Sequence, residues 1–231
     1  MSAQPQDRTA VPAGAAVPVA HWERPTAEQL DRFRRLPTAN IADAMHRLGA
    51  MDARIKPVWT GARILGAAYT VWTRPGDNLA IHEALEHVEP GDVLVINGGG
   101  DESRALIGEL VGGRARSRGV VGFVIDGAVR DAPGLAEYEM PVFARALTPA
   151  GPYKDGPFAL AAPTAVGGVV VNPGDVVVGD EDGVVVVPRA MAGRVADLAQ
   201  AKHDDELEKR RLIDADIEAA ARAAVPGGML P

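Results

Sequence analysis

The sequence predicts an α/β protein built around a largely parallel sheet. Three observations carry this reading. Strand-like and helix-like segments alternate from residue 64 to residue 145, the pattern of βαβ units. Three valine-rich runs then follow, separated by the turn signals NPGD and DEDG, which predict an antiparallel meander. A charged segment with heptad-like apolar spacing, about 189–224, predicts a long C-terminal helix.

Each element has a local reason. Residues 1–24 are rich in Ala, Pro and Gln and lack periodicity, so they read as a mobile arm ahead of a single domain at 25–231. Thr26 is a good N-cap for a helix through LDRFRRL, which Pro37 ends. Thr38 or Asn40 opens the next helix, IADAMHRLG, closed by Gly49. Leu30, Phe33, Leu36, Ile41, Ala44, Met45 and Leu48 form the apolar faces of the two. ILGAAYTVW, residues 64–72, reads as a strand, PGDN as a turn, and Asn78 as the start of the helix LAIHEALEHV. PGDVLVING is a turn and a buried strand, GGGDESR a loop, and ALIGELVGGRARSRG a helix. FVIDG is a strand, PGLAEYEM a short helix, PVFAR a strand, and 148–163 a Pro/Gly-rich loop.

Composition narrows the function. Of 231 residues 47% are hydrophobic but only 4% aromatic, so the core is built from Ala, Val, Leu and Ile. The net charge of −7 and the lack of a basic run argue against nucleic acid as partner. With no cysteine, zinc-thiolate sites and thiol nucleophiles are excluded. The first residues lack a signal-peptide pattern, and no apolar run is long enough to span a membrane, so a cytoplasmic protein is expected.

The most informative stretch is GVVGFVIDGAVRDAP, residues 119–133. It places Arg130 and Asp131 at the end of a buried strand. A carboxylate there can hold a hard divalent cation, and a guanidinium beside it can hold an anion. Asp131 also precedes Ala132-Pro133, so it can equally be a helix N-cap. The glycines of GGGDESR, leading into a helix, offer free N–H groups to an anion. Glu109 can face the same cavity or solvent. Asn78 and His82 share a helix face at i and i+4. The five histidines show no metal-ligand spacing, so any metal is oxygen-ligated, Mg²⁺ or Mn²⁺. Lys154 and Glu206 are distant charged candidates.

The ordered motifs LPTANIADAMHRLG, RILGAAYTVWTRPGDN, PGDVLVINGGG, GELVGGRARSRGVVGFVIDGAVRD, MPVFAR and VGGVVVNPGDVVVGDEDGVVVVP resemble one family. It is the 4-hydroxy-4-methyl-2-oxoglutarate aldolase family, which includes 4-carboxy-4-hydroxy-2-oxoadipate aldolases and regulators of ribonuclease E activity. The resemblance covers roughly residues 30–210. It implies a swivelling β/β/α-type sandwich that assembles as a homotrimer or homohexamer. It also implies a metal-dependent aldolase with an acid-X20-Arg-Asp signature, which Glu109, Arg130 and Asp131 match. The first acid is an aspartate in the best-known aldolases and a glutamate here.

Carried over by resemblance, Asp131 holds Mg²⁺ or Mn²⁺ directly and Glu109 acts through metal-bound water. Arg130 holds the oxo or enolate oxygen. The backbone from Gly108 through Leu110 and Val111 binds the substrate carboxylate. Asn78, His82 and Lys154 line the pocket, and Glu206 reaches in from an adjacent subunit. The implied reaction cleaves a 4-hydroxy-2-oxo acid to pyruvate and a second oxo acid, with oxaloacetate decarboxylation as a side activity. The alternatives are a ring-shaped, non-catalytic regulator of a ribonuclease, and a lyase acting on a sugar-acid derivative.

Overall fold

A computed structural model describes residues 22–224, and the first 21 residues of the expected arm lie outside it. Trp22, Glu23 and Arg24, the last three of that arm, pack on the body. Trp22 meets Tyr69 edge to face, and Arg24 grips the fully buried Asp92 with two hydrogen bonds.

Four parallel strands form the centre: β2 (Ile64–Thr73), β3 (Asp92–Ala105), β4 (Gly122–Val129) and β5 (Val142–Leu147), side by side in that order. The connections carry α3 (Leu79–Ala84), α4 (Glu109–Ser117) and α5 (Ala132–Glu137). The short β1 (Lys56–Pro57) pairs antiparallel with β5 at the outer edge. On the other side β2 is paired twice, both times antiparallel. Its start takes β9 (Val176–Asp180) and its end takes β6 (Phe158–Leu160). β10 (Gly183–Val187) folds back on β9.

The strands are apolar on both faces because both are covered. Leu94, Ile96, Phe123 and Ile125 face the layer that holds Ile81, Leu85 and Leu135 of the crossover helices. The alternate residues Val93, Val95 and Val124 face Val166 and Val171 from a separate hairpin, β7 (Thr164–Val166) and β8 (Val169–Val171). A third cluster joins Val176, Val178, Val185 and Val187 to α1 (Ala27–Asp31), α2 (Thr38–Ala44) and the first turns of α6 (Ala192–Ala224). The result is the expected swivelling β/β/α architecture, with a mixed sheet and a C-terminal helix of 33 residues. Among the described residues no helix is long and apolar enough to cross a membrane.

Several expectations change. The helices predicted through LDRFRRL, IADAMHRLG and LAIHEALEHV end early, at Asp31, Ala44 and Ala84. GGGDESR is not a loop, because β3 continues through it with two shifts of register against β4. The three valine runs do not form one meander. β8 pairs with β7 in its own sheet, whereas β9 and β10 extend the main one. The 148–163 loop contains β6, whose Leu160 aligns with Val71. Leu48, assigned to an apolar face, is 73% exposed, because His46 and Arg47 turn the chain through positive φ just before it.

Candidate functional site

Ligand sites in open parallel sheets form beyond the carboxyl ends of the strands. Here a cleft of about 200 Å³ opens at that end. Its lining includes Asn78 and His82 from α3, Gly108, Leu110 and Val111 from the start of α4, Arg130 and Asp131 after β4, and Lys154. Eight residues singled out from the sequence therefore meet in one place. Ala105, Leu106, Ile107 and Pro152 complete the wall. Sequence reasoning did not select them, since apolar residues at a strand end carry no chemical signal.

Backbone hydrogen bonds fix the centre. The Arg130 N–H donates to the Ile107 carbonyl at 3.0 Å, and the Leu106 N–H to the Ala128 carbonyl at 2.9 Å. These bonds set Arg130 and Asp131 beside Gly108, the residue that opens α4. Gly108 has extended backbone, so its value is not conformational. A Cβ there would lie 2.2 Å from Asp131 Oδ2 and 3.0 Å from Arg130 Cγ. Only glycine leaves room for the pair. The triple glycine at 98–100 does not open the helix; Gly108 does.

Asp131 occupies the N-cap position of α5, but its side chain makes no capping hydrogen bond. The backbone is left-handed, φ 57° and ψ 40°, a conformation that costs of order 1 kcal/mol or more for a residue with a side chain. The carboxylate instead turns toward the start of α4. Its Oδ2 lies 3.2 Å from Arg130 Nε and 3.4 Å from the Glu109 N–H, the latter too long for a strong bond. The cap reading fails in favour of a carboxylate aimed at the cleft. Asp131 is the one carboxylate in the lining that could hold a cation.

The donors come from α4. No side chain caps it, and the first intrahelical bond closes from the Gly112 N–H to the Gly108 carbonyl at 3.0 Å. The N–H groups of Leu110 and Val111 thus have no partner within the helix, and the helix dipole adds positive potential there. Asn78 is buried, and its Nδ2 donates to the Leu106 carbonyl at 3.0 Å. Among the described residues its Oδ1 is buried without a hydrogen-bond partner. Burial lowers the His82 pKa from its ordinary 6.5, and the charges of Lys154 and then Arg114 lower it further. His82 is therefore neutral near pH 7. Arg130 and Lys154 against the single Asp131 favour an anionic ligand.

Two expected residues stand apart. Glu109 is exposed, and its carboxylate lies over Gly134, where an added Cβ would meet Oε2 at 1.9 Å. It sits next to Gly108 but outside the lining of the cleft. Glu206, on α6, accepts a hydrogen bond from Asn40 Nδ2 at 2.7 Å and is not part of the cleft of its own chain. A larger groove of about 390 Å³, between α2, β8 and α6, is lined by residues such as Met45, Leu48, Val170 and Leu198. It is mostly apolar and brings no converging acid, so the chemistry is assigned to the smaller cleft.

Fold and cleft together define a class, a swivelling β/β/α domain with a polar cleft at the carboxyl ends of its parallel strands. The chain belongs to the RraA-like family, described as Aldolase/RraA, whose pattern matches residues 38–186. It is similar to a protein of Halalkalibacterium halodurans provisionally named a 4-hydroxy-4-methyl-2-oxoglutarate aldolase. The two are 40% identical over 186 residues, 80% of this chain and 89% of that one. The 4-hydroxy-4-methyl-2-oxoglutarate aldolase of Thermus thermophilus is 33% identical over 68% of this chain and 94% of its own length. The crystal structure of Streptomyces coelicolor RraAS2, titled an unusual member of the RNase ES inhibitor RraA family, superposes with a TM-score of 0.74. That likeness covers 82% of this chain and 99% of RraAS2 at 32% identity.

Proposed function

We propose that this protein is a divalent-metal-dependent aldolase. It cleaves a 4-hydroxy-2-oxo acid, of the 4-hydroxy-4-methyl-2-oxoglutarate or 4-carboxy-4-hydroxy-2-oxoadipate type, to pyruvate and a second oxo acid. The observation that carries this reading is Asp131, held in a left-handed backbone beside Arg130 and the uncapped start of α4. The names of the relatives support the aldolase part of it.

The donor set suits Mg²⁺ or Mn²⁺. Among the described residues no three His, Cys, Asp or Glu side chains converge, so a closed cage of protein ligands is not built. One outward carboxylate oxygen, with water and substrate oxygens to complete the shell, is how such ions are commonly held. Asp131 is the direct ligand in this reading. The ion's contribution when bound is Lewis-acid polarisation of the substrate's oxo group.

The chain's own groups do the rest. The Leu110 and Val111 N–H groups bind the C1 carboxylate, using donors the helix leaves free. The Arg130 guanidinium holds the C2 oxygen and stabilises the negative charge that grows there as the C3–C4 bond breaks. Lys154 and Asn78 hold the far end of the substrate. The C4 hydroxyl must lose its proton. Glu109 is the assigned acceptor, through a water molecule, and must leave Gly134 to serve. Its exposure makes that rotation inexpensive. Oxaloacetate loses carbon dioxide through the same enolate without a C4 hydroxyl proton to remove, so decarboxylation is the expected side reaction.

We further propose a cytoplasmic homotrimer or homohexamer, in which Glu206 serves a neighbouring copy's cleft. The rival reading is a non-catalytic regulator, favoured by the RraA neighbours. Pyruvate release from oxaloacetate and from 4-hydroxy-4-methyl-2-oxoglutarate, with Mg²⁺ and again with EDTA, separates the two. Release that EDTA stops supports the aldolase. No metal-dependent release across a panel of 2-oxo acids supports the regulator.

A further inference from the structure

A buried acid outside the lining of the cleft organises one of its walls. Asp77, in the turn between β2 and α3, is fully buried. Its Oδ1 accepts the Leu79 N–H at 2.9 Å. Its Oδ2 accepts the N–H groups of Asp155 at 2.7 Å and Gly156 at 3.0 Å, and the Arg74 guanidinium at 3.2 Å. The backbone doubles the link. The Tyr153 N–H donates to the Gly76 carbonyl at 2.8 Å, and the Asn78 N–H to the Tyr153 carbonyl at 3.0 Å. One carboxylate thus joins the residues that open α3, and so carry Asn78, to the segment after Tyr153.

The same segment is held at its other end. Arg104 donates to the Gly151 carbonyl at 2.9 Å and to Tyr153 Oη at 2.8 Å. Its guanidinium also stacks 4.0 Å from the Tyr153 ring centre. Between these anchorages sits Lys154, which lines the cleft with Asn78 and His82. Its charge reaches His82, whose pKa it lowers.

A buried carboxylate is costly unless its oxygens are satisfied, and here four donors satisfy them. A lysine side chain loses rotamer freedom when fixed. A loop that also moved would add to that cost and blur the position of the ammonium. We infer that Asp77 is a positioning residue: it fixes the strap 151–156 so that Lys154 presents its ammonium to an anionic substrate beside Asn78. This rests on reading the cleft as an oxo-acid site.

Two measurements test it. Amide hydrogen exchange on the wild-type protein comes first and needs no activity. The Asp155 and Gly156 amides should exchange as slowly as those of β2. Exchange at the rate of an open loop overturns the inference, even if the protein proves to be an aldolase. The second is a double-mutant cycle read as kcat/KM for pyruvate release. Asp77→Asn puts an amide against N–H donors and should cost about 100-fold, the scale of a 1 Å misplacement. In a Lys154→Ala background the same change should cost about tenfold at most, because only the share passing through Asn78 remains. An equal loss in both backgrounds overturns the inference. Absence of pyruvate release from the wild type refutes the aldolase reading instead, and leaves the exchange result to decide the role of Asp77.

Discussion

Two helix starts in this molecule are built in opposite ways. At α1 the Thr26 side chain accepts the Gln29 N–H, and the Gln29 side chain accepts the Thr26 N–H, a complete capping box. At α4 the corresponding residue is Gly108, with no side chain to offer and no cap. The first start uses its own donors and is a structural end. The second leaves the Leu110 and Val111 N–H groups without a partner in the helix, at a cleft whose lining also includes Asn78. An uncapped helix end becomes informative when charged neighbours such as Arg130 and Asp131 stand beside it.

Substitutions at the two starts should separate activity from stability. The largest effect is expected from Asp131→Ala, which should lower metal-dependent kcat by about 1,000-fold or more. The melting temperature should hold or fall slightly, because alanine keeps the Cβ that strains the left-handed backbone. Near-wild-type turnover with Mg²⁺ would show the site to be wrongly placed. Gly108→Ala comes next. Its Cβ must displace the Asp131 carboxylate, so kcat/KM should fall about 100-fold while the fold persists.

Thr26→Ala is the converse. It should cost about 1 kcal/mol of unfolding free energy by urea titration and leave kcat/KM unchanged. The smallest expected effect is a pH dependence. His82 binds a proton less readily folded than unfolded, since its folded pKa lies below 6.5. Stability from this group is therefore intact above about pH 6.5 and falls as pH drops toward the folded pKa, where the unfolded chain holds the extra proton. Comparing urea midpoints at pH 7.5 and 5.5, His82→Gln should lose less than wild type.

The same contrast explains what was legible in the sequence. The Thr26 cap, the parallel strands and the long final helix follow from local rules: side-chain oxygen before a helix, apolar runs between turns, apolar spacing along a charged segment. The cleft was legible as far as Arg130 and Asp131, through their place after a buried strand, and through family resemblance for the rest. What local rules could not supply was partnership over distance. GGGDESR is strand because β4 lies beside it, and β8 leaves β9 because β7 completes its hairpin. The Glu109 carboxylate rests on Gly134, 25 positions away in the chain, and no spacing announces that contact. Asp77 looked like one more turn residue in PGDN, and its importance lies in the segment around Tyr153.

In the proposed function Asp131, Arg130 and the free start of α4 form one metal-and-oxo-acid site. A crystal grown with Mg²⁺ and oxalate, an unreactive mimic of the pyruvate enolate, tests it most directly. The ion is expected on an Asp131 carboxylate oxygen, with oxalate bound to that ion, to the Arg130 guanidinium, and to the Leu110 and Val111 N–H groups. Oxalate and Mg²⁺ bound elsewhere on the protein, with Asp131 free of both, would contradict it.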